Sequence, residues 1–179
     1  MTKVIGIAGR KGSGKDTAAE VLLWQGFENV KFAGALKGMI RAFLSYIGED
    51  AVTTERLVEG DLKEVPQPFF GGKSTRQVMQ TLGTEWGRNL VWEDLWTNTF
   101  ALRCLQFPLV VCTDMRFPNE VSQMKDLGGV TIRIERPDLK QTGHDDHPSE
   151  TLIDTLSVDR VIINDGNIND LHNKLLEVV

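Results

Sequence analysis

Gly9-Arg-Lys-Gly-Ser-Gly-Lys-Asp-Thr17 follows the apolar run Val4-Ile5-Gly6-Ile7-Ala8. A short buried strand, a glycine-rich turn and a helix are the setting of a phosphate-binding loop, and Gly9-x4-Gly14-Lys15 fits the first part of its signature. Glycines, among them Gly12 and Gly14, let successive backbone N–H groups turn inward around an anion. The helix expected to start near Gly14 aims its N-terminal amides and positive dipole end at the same place. Lys15 adds a mobile charge for the outer phosphates. Asp16 stands where Ser or Thr usually touches magnesium, and Thr17 comes one place late.

The chain has 179 residues, 41% of them apolar, which favours one domain with an ordinary core. Net charge is −5 without a long basic block, so binding to nucleic acid is not expected. An apolar run long enough for a membrane span is lacking, as is a signal-peptide pattern at the start. The chain therefore reads as a soluble cytoplasmic protein that meets no membrane. Cys104 and Cys112 form neither metal nor redox spacing and read as reduced core thiols.

Lys3–Ala8, Leu109–Thr113, Val130–Glu135 and Arg160–Ile163 are apolar and β-branched, with a weaker run at Asn29–Phe32. Near-continuous apolar runs imply strands covered on both faces, as in a parallel sheet. Helical patterns lie between them over Asp16–Trp24, Leu36–Ile47, Thr75–Trp86, Trp92–Leu105, Asn119–Leu127 and Asn169–Val178. The alternation predicts a doubly wound α/β domain: a parallel five-stranded sheet flanked by helices. Two stretches break the pattern. Gly48–Ser74, with Pro66, Pro68, Gly71 and Gly72, reads as a long excursion, and Pro137–Ser149 as a polar loop. Long loops in compact domains are often lids or binding loops.

Asp114 ends an apolar strand, at the sheet edge where open α/β folds bind ligands. It is placed to hold hydrated magnesium or to accept a hydrogen bond from substrate. Arg116, two residues on, is suited to clamp a phosphate. Asn119 is a plausible helix cap, which leaves Asp114 and Arg116 for chemistry. Arg76, Gln80 and Thr84 recur at helical spacing and share a face that could equally be solvated or read a phosphate and a base. Arg133 and Arg136 border the polar loop and suit a lid closing over phosphates. His144 and His147, with the aspartates between them, lack a second ligand pair, and Pro148 works against a helical face; a metal site is not expected there. Ser149 and Glu150 read as a helix start. Trp86, Trp92 and Trp96 read mainly as core, with one stacked base left open. Asn164-Asp-Gly166 ends the last strand in a turn, near the phosphate loop if the sheet closes as expected.

Together these segments resemble the phage deoxynucleoside monophosphate kinases of the P-loop nucleoside monophosphate kinase group. The resemblance rests on Gly9–Thr17, Phe32-Ala-Gly-Ala-Leu-Lys37, Arg76 through Arg88, Asp114-Met-Arg-Phe-Pro-Asn-Glu120, His147-Pro-Ser-Glu150 and Asn164-Asp-Gly166. It implies a P-loop kinase-type domain over 1–179, with an acceptor-binding excursion about 34–90 and a lid about 136–149. It implies ATP as donor, Mg²⁺, and a deoxynucleoside monophosphate as acceptor. Ser13, Lys15, Asp16 and Thr17 would serve the donor; Arg76, Gly83, Thr84 and Asp114 would surround the acceptor. Gln80 is neutral where a second basic residue would suit the acceptor phosphate, and Lys37, Arg41 or Arg88 would supply that charge. Gly12, Gly14, Arg133 and Asn164 complete the expected ATP site, and Lys15, Asp16, Arg116 and Arg136 the expected catalytic set. Asp16 would act on the metal through water, because a hydrated Mg²⁺ reconciles a carboxylate with the polyphosphate it faces. Two other readings remain at this point: a P-loop kinase with a hydroxyl acceptor, such as a dephospho-coenzyme A kinase, and a nucleotide-binding switch protein with little turnover. A homodimer is left open.

Overall fold

A computed structural model describes residues 2–138 and 152–179. The chain divides into two compact units, Met1–Phe32 with Thr97–Val179, and Ala33–Trp96.

The first unit is built on five parallel strands: β1 (Lys3–Ala8), β2 (Glu28–Asn29), β3 (Leu109–Cys112), β4 (Val130–Glu135) and β5 (Arg160–Ile163), in the order β2-β3-β1-β4-β5. Among the described residues of both units the α-helices are α1 (Lys15–Trp24), α2 (Gly34–Tyr46), α3 (Ala51–Val58), α4 (Thr75–Thr81), α5 (Leu95–Cys104), α6 (Pro118–Asp126) and α7 (Ile168–Leu176). Side chains alternate across the pleat. Val4, Val110 and Cys112 therefore pack with Phe100 of α5 and Val121 and Met124 of α6. Ile5, Ile7, Val111, Ile132 and Ile134 face Ala18, Ala19 and Leu22 of α1 and Leu171 and Leu175 of α7. After the exposed Lys3 the central strand β1 is buried on both faces, which is why Val4–Ala8 is apolar.

Strands β1, β3, β4 and β5 fall where the apolar runs predict, β3 closing one residue early. The weak run at 29–32 is shorter and earlier as a strand, because the Phe32 amide donates to Asp114 Oδ1 (2.9 Å) and leaves the ladder. Asn119 is not the cap of α6: Phe117 holds that position with Pro118 at N1. The buried Glu120 carboxylate accepts the amides of Arg116 (2.6 Å) and Phe117 (3.0 Å) instead. Pro lacks the amide that the first turn would leave unpaired.

The second unit packs Leu36, Ile40 and Leu44 of α2 against Leu57 and Val58 of α3, Met79 of α4 and Trp96. The excursion expected at Gly48–Ser74 is not a loop throughout, since it contains α3, capped by Asp50 Oδ1 accepting from Val52 N and Thr53 N. The helix expected over Thr75–Trp86 is α-helical only to Thr81; Leu82–Val91 is π-helical. The Trp92 amide still donates five residues back, to Gly87 O (2.9 Å). A Cβ at Gly87 would lie 2.6 Å from the Trp96 ring, and Trp96 Nε1 donates to Gly83 O (2.7 Å). The wide turn accommodates this ring. Trp92, placed on the next helix by its spacing, precedes α5 and is exposed.

Candidate active site

The connection from β1 to α1 is built around an anion-sized cradle. Gly9 and Gly14 have φ of 148° and 101°. A Cβ at Gly9 would lie 2.6 Å from both Ile134 O and Ser13 Oγ, and one at Gly14 2.6 Å from Asn164 Nδ2. Any side chain would thus fill the loop or break its ties. Asn164, just past β5, donates from Nδ2 to Ser13 O (2.9 Å). Lys15 Nζ donates to Arg10 O (2.9 Å) across the loop. His172 on α7 is buried, and its Nε2 meets Thr17 O (2.8 Å), so that nitrogen must carry the proton. Its ring stands edge-on to Trp24 at 5.3 Å.

Ser13 is 1% exposed, and its Oγ has no hydrogen-bond partner among the described residues. Buried hydroxyls are nearly always paired, so an orphan inside an amide-lined loop fits a missing phosphate oxygen. Beside it opens a pocket of about 540 Å³ lined by Gly12, Gly14, Lys15, Asp16, Thr17, Arg136, Asn164, Gly166, Asn167, Ile168 and Leu171. Asp16 and Thr17 offer only oxygen donors, the set a hydrated Mg²⁺ takes. No cluster of three His, Cys, Asp or Glu forms a cage among the described residues.

The loop residues Gly12, Gly14, Lys15, Asp16 and Thr17 thus meet Arg136 and Asn164, with Ser13 beneath. Arg133 does not line this pocket. Its Nε pairs with Glu135 Oε1 (2.8 Å), and Nη1 donates to the carbonyls of Asp154 (3.2 Å) and Leu156 (3.0 Å). Arg10 also pairs with Asp154 through its guanidinium, holding that carboxyl below its usual range. Asp114 and Arg116 follow β3 and are half-buried. Asp114 Oδ1 accepts from Phe32 N and from Cys112 Sγ (3.2 Å).

In the second unit, Lys37 is buried with Nζ 2.7 and 2.9 Å from the two Glu59 carboxylate oxygens. Arg41 grips Glu55 through two bonds (2.6 and 2.9 Å). Arg76 Nη1 lies 3.5 Å from Glu64 Oε1. Arg76, Gln80, Gly83, Thr84 and Arg88 are partly buried along α4 and the π-helix. The change from α to π turns moves Thr84 off the register that a continuous α-helix would give it. His144, His147, Ser149, Glu150 and most of the expected lid lie outside the described residues. Thr113 and His172 were not singled out from the sequence, and Glu120 was named only as the end of the Asp114–Glu120 box. Thr113 and His172 each act through one hydrogen bond to a distant segment, which leaves no motif, while Glu120 accepts the nearby Arg116 and Phe117 amides.

A family model described as deoxynucleotide monophosphate kinase matches residues 71–175. A candidate deoxynucleotide monophosphate kinase of Acanthamoeba polyphaga mimivirus is 30% identical over 98% of this chain and 95% of its own length. The deoxynucleotide monophosphate kinase of Escherichia phage RB69 is 31% identical over 59% of this chain, and the match spans only 45% of that relative. Shikimate kinase from Aquifex aeolicus superposes with a TM-score of 0.54 at 12% identity, covering 98% of this chain and 95% of that one. The fold is that of the P-loop kinases.

Proposed function

The chain belongs to the deoxynucleotide monophosphate kinase family, and from that premise we propose that it transfers the γ-phosphoryl group of ATP to a deoxynucleoside monophosphate, giving a diphosphate and ADP. It is a phosphotransferase that takes a nucleotide. The observation that carries the donor side is the phosphate cradle with its orphaned Ser13 Oγ, set beside Lys15, Asp16 and Thr17.

In this reading the amides of Gly12 to Gly14 and the Ser13 hydroxyl hold the donor phosphates. Lys15 leaves the Arg10 carbonyl to bridge the outer pair, and Thr17 captures phosphate through amide and hydroxyl. Asp16 is the residue that would hold the metal, through water. Bound Mg²⁺ would supply neutralisation of charge on the transferring group. Arg136, already in the pocket lining, and Arg116 supply positive charge to the same group. Arg133 braces the chain beyond β4. Lys37, Arg76, Gln80, Gly83, Thr84 and Arg88 of the second unit, and Asp114 of the first, are the residues assigned to the acceptor in this reading. The acceptor oxygen belongs to a phosphate, so no strong general base is needed and catalysis is positioning plus charge neutralisation. No helix among the described residues is long and apolar enough to cross a membrane; a cytoplasmic place, the host's if the chain is viral, follows from the substrates.

The test is a label transfer. With γ-labelled ATP and a mixture of deoxynucleoside monophosphates, label should appear in the diphosphate. A folded Lys15→Ala variant should transfer it at least about a hundredfold more slowly, the scale of losing a charged transition-state contact. Normal transfer by that variant would contradict the donor-site assignment.

A further inference from the structure

Thr113 holds the donor carboxylate from outside the phosphate loop. It directly follows β3, whose Cys112 pairs in register with Gly6 of β1, the strand that feeds the loop. Its side chain is 3% exposed, and Oγ1 donates to Asp16 Oδ1 at 2.7 Å across 97 residues of sequence. A hydroxyl has one proton to give, and this one is spent on Asp16. The β-branched side chain has few rotamers, so the donor is stiff. Asp16 itself is exposed and lines the pocket. An exposed aspartate would otherwise sample several rotamers, and a metal-facing carboxylate must occupy one.

We propose that Thr113 is a positioning residue for phosphoryl transfer: by pinning one oxygen of Asp16, it aims the other at the hydrated metal of the donor. The inference rests on the donor-site reading above. The same bond ties the end of β3 to the phosphate loop.

Thr113→Val removes the hydroxyl at nearly constant shape, and Thr113→Ser retains it. Thr113→Ala stands in should the valine variant not fold, as judged by its Tm. Calorimetric ATP affinity with and without Mg²⁺ is measured alongside kcat and KM. Thr113→Val should lower kcat about tenfold, a modest share of what small misplacements can cost. It should leave metal-free ATP affinity within about twofold and shrink the affinity gained on adding Mg²⁺, while Thr113→Ser recovers both. In an Asp16→Asn background, Thr113→Val should add nothing, because the two act as one unit. A valine variant with normal kcat and Mg²⁺ response, or losses that multiply with Asp16→Asn, would overturn the proposal. A fully active Asp16→Asn enzyme would instead remove the donor-site reading, and this inference with it.

Discussion

At Asp16 two electrostatic demands oppose each other. The first turn of α1 favours a carboxylate, while the polyphosphate it would face repels one. Asparagine keeps the shape and removes the charge. Asp16→Asn should therefore cut kcat about tenfold or more while metal-free ATP affinity stays within about threefold, as expected of a group acting through the metal. Parallel steady-state and calorimetric measurements check this; equal loss of both would make the residue structural. The cysteines show the reverse situation, chemistry suppressed by burial. Desolvation pushes the Cys104 thiol up to about 12, and Cys112 well above its usual value, the latter with the Asp114 charge nearby. The thiolate is the reactive form, so neither should react with a thiol reagent at pH 8 in the native protein, and both should after denaturation. One rapidly labelled native thiol would contradict that burial. The sign for stability is also fixed: a raised folded value means stability falls as pH rises past the unfolded thiol value of about 8.5.

Among the elements, α4 depends on its start. Ser74 Oγ accepts from Gln77 N (3.3 Å) while Gln77 Oε1 accepts from Ser74 N (2.9 Å), a reciprocal box at a buried serine. Ser74→Ala should cost about 1 kcal/mol of stability, read as a lower denaturant midpoint at unchanged slope. An unchanged midpoint would mean that the box contributes nothing. The same stretch shows where sequence reading stops. Val78, Met79 and Leu82 carry the helical period, and the start at Thr75 was legible from it. The π-turns were not, because they depend on the Trp96 ring meeting Gly87, a contact set by tertiary packing. Helix α3 escaped for a related reason: with apolar positions only at Ala51, Val52, Leu57 and Val58, its pattern is weaker than the proline and glycine signals that follow it. Strand β2 was overextended because Val30 and Phe32 are apolar for burial, while the Phe32 amide serves Asp114.

For the molecule as a whole, the sheet was legible because β1, β3 and β4 are largely buried, the outer β5 being apolar but mostly exposed, and the phosphate loop announces its own geometry through glycine spacing. The same glycine spacing pointed to the loop residues that the structure brings together around one pocket, and Asn164, 151 residues from Ser13, joins them through its bond to Ser13 O. The parts that were not legible include Thr113 on Asp16 and His172 on Thr17, single hydrogen bonds bridging distant segments, and the local turn after β3 in which Glu120 accepts the Arg116 and Phe117 amides. The cations Lys37, Arg41 and Arg76 were legible as candidates, but not their carboxylate partners Glu59, Glu55 and Glu64. The identity of the acceptor separates a monophosphate kinase from the other readings. The most direct measurement is ADP release from ATP and Mg²⁺ with each of the four deoxynucleoside monophosphates in turn, and with dephospho-coenzyme A as the hydroxyl acceptor. The account predicts release stimulated by at least one deoxynucleoside monophosphate and not by dephospho-coenzyme A. Stimulation by dephospho-coenzyme A alone, or ATP binding without stimulation by any acceptor, would contradict it.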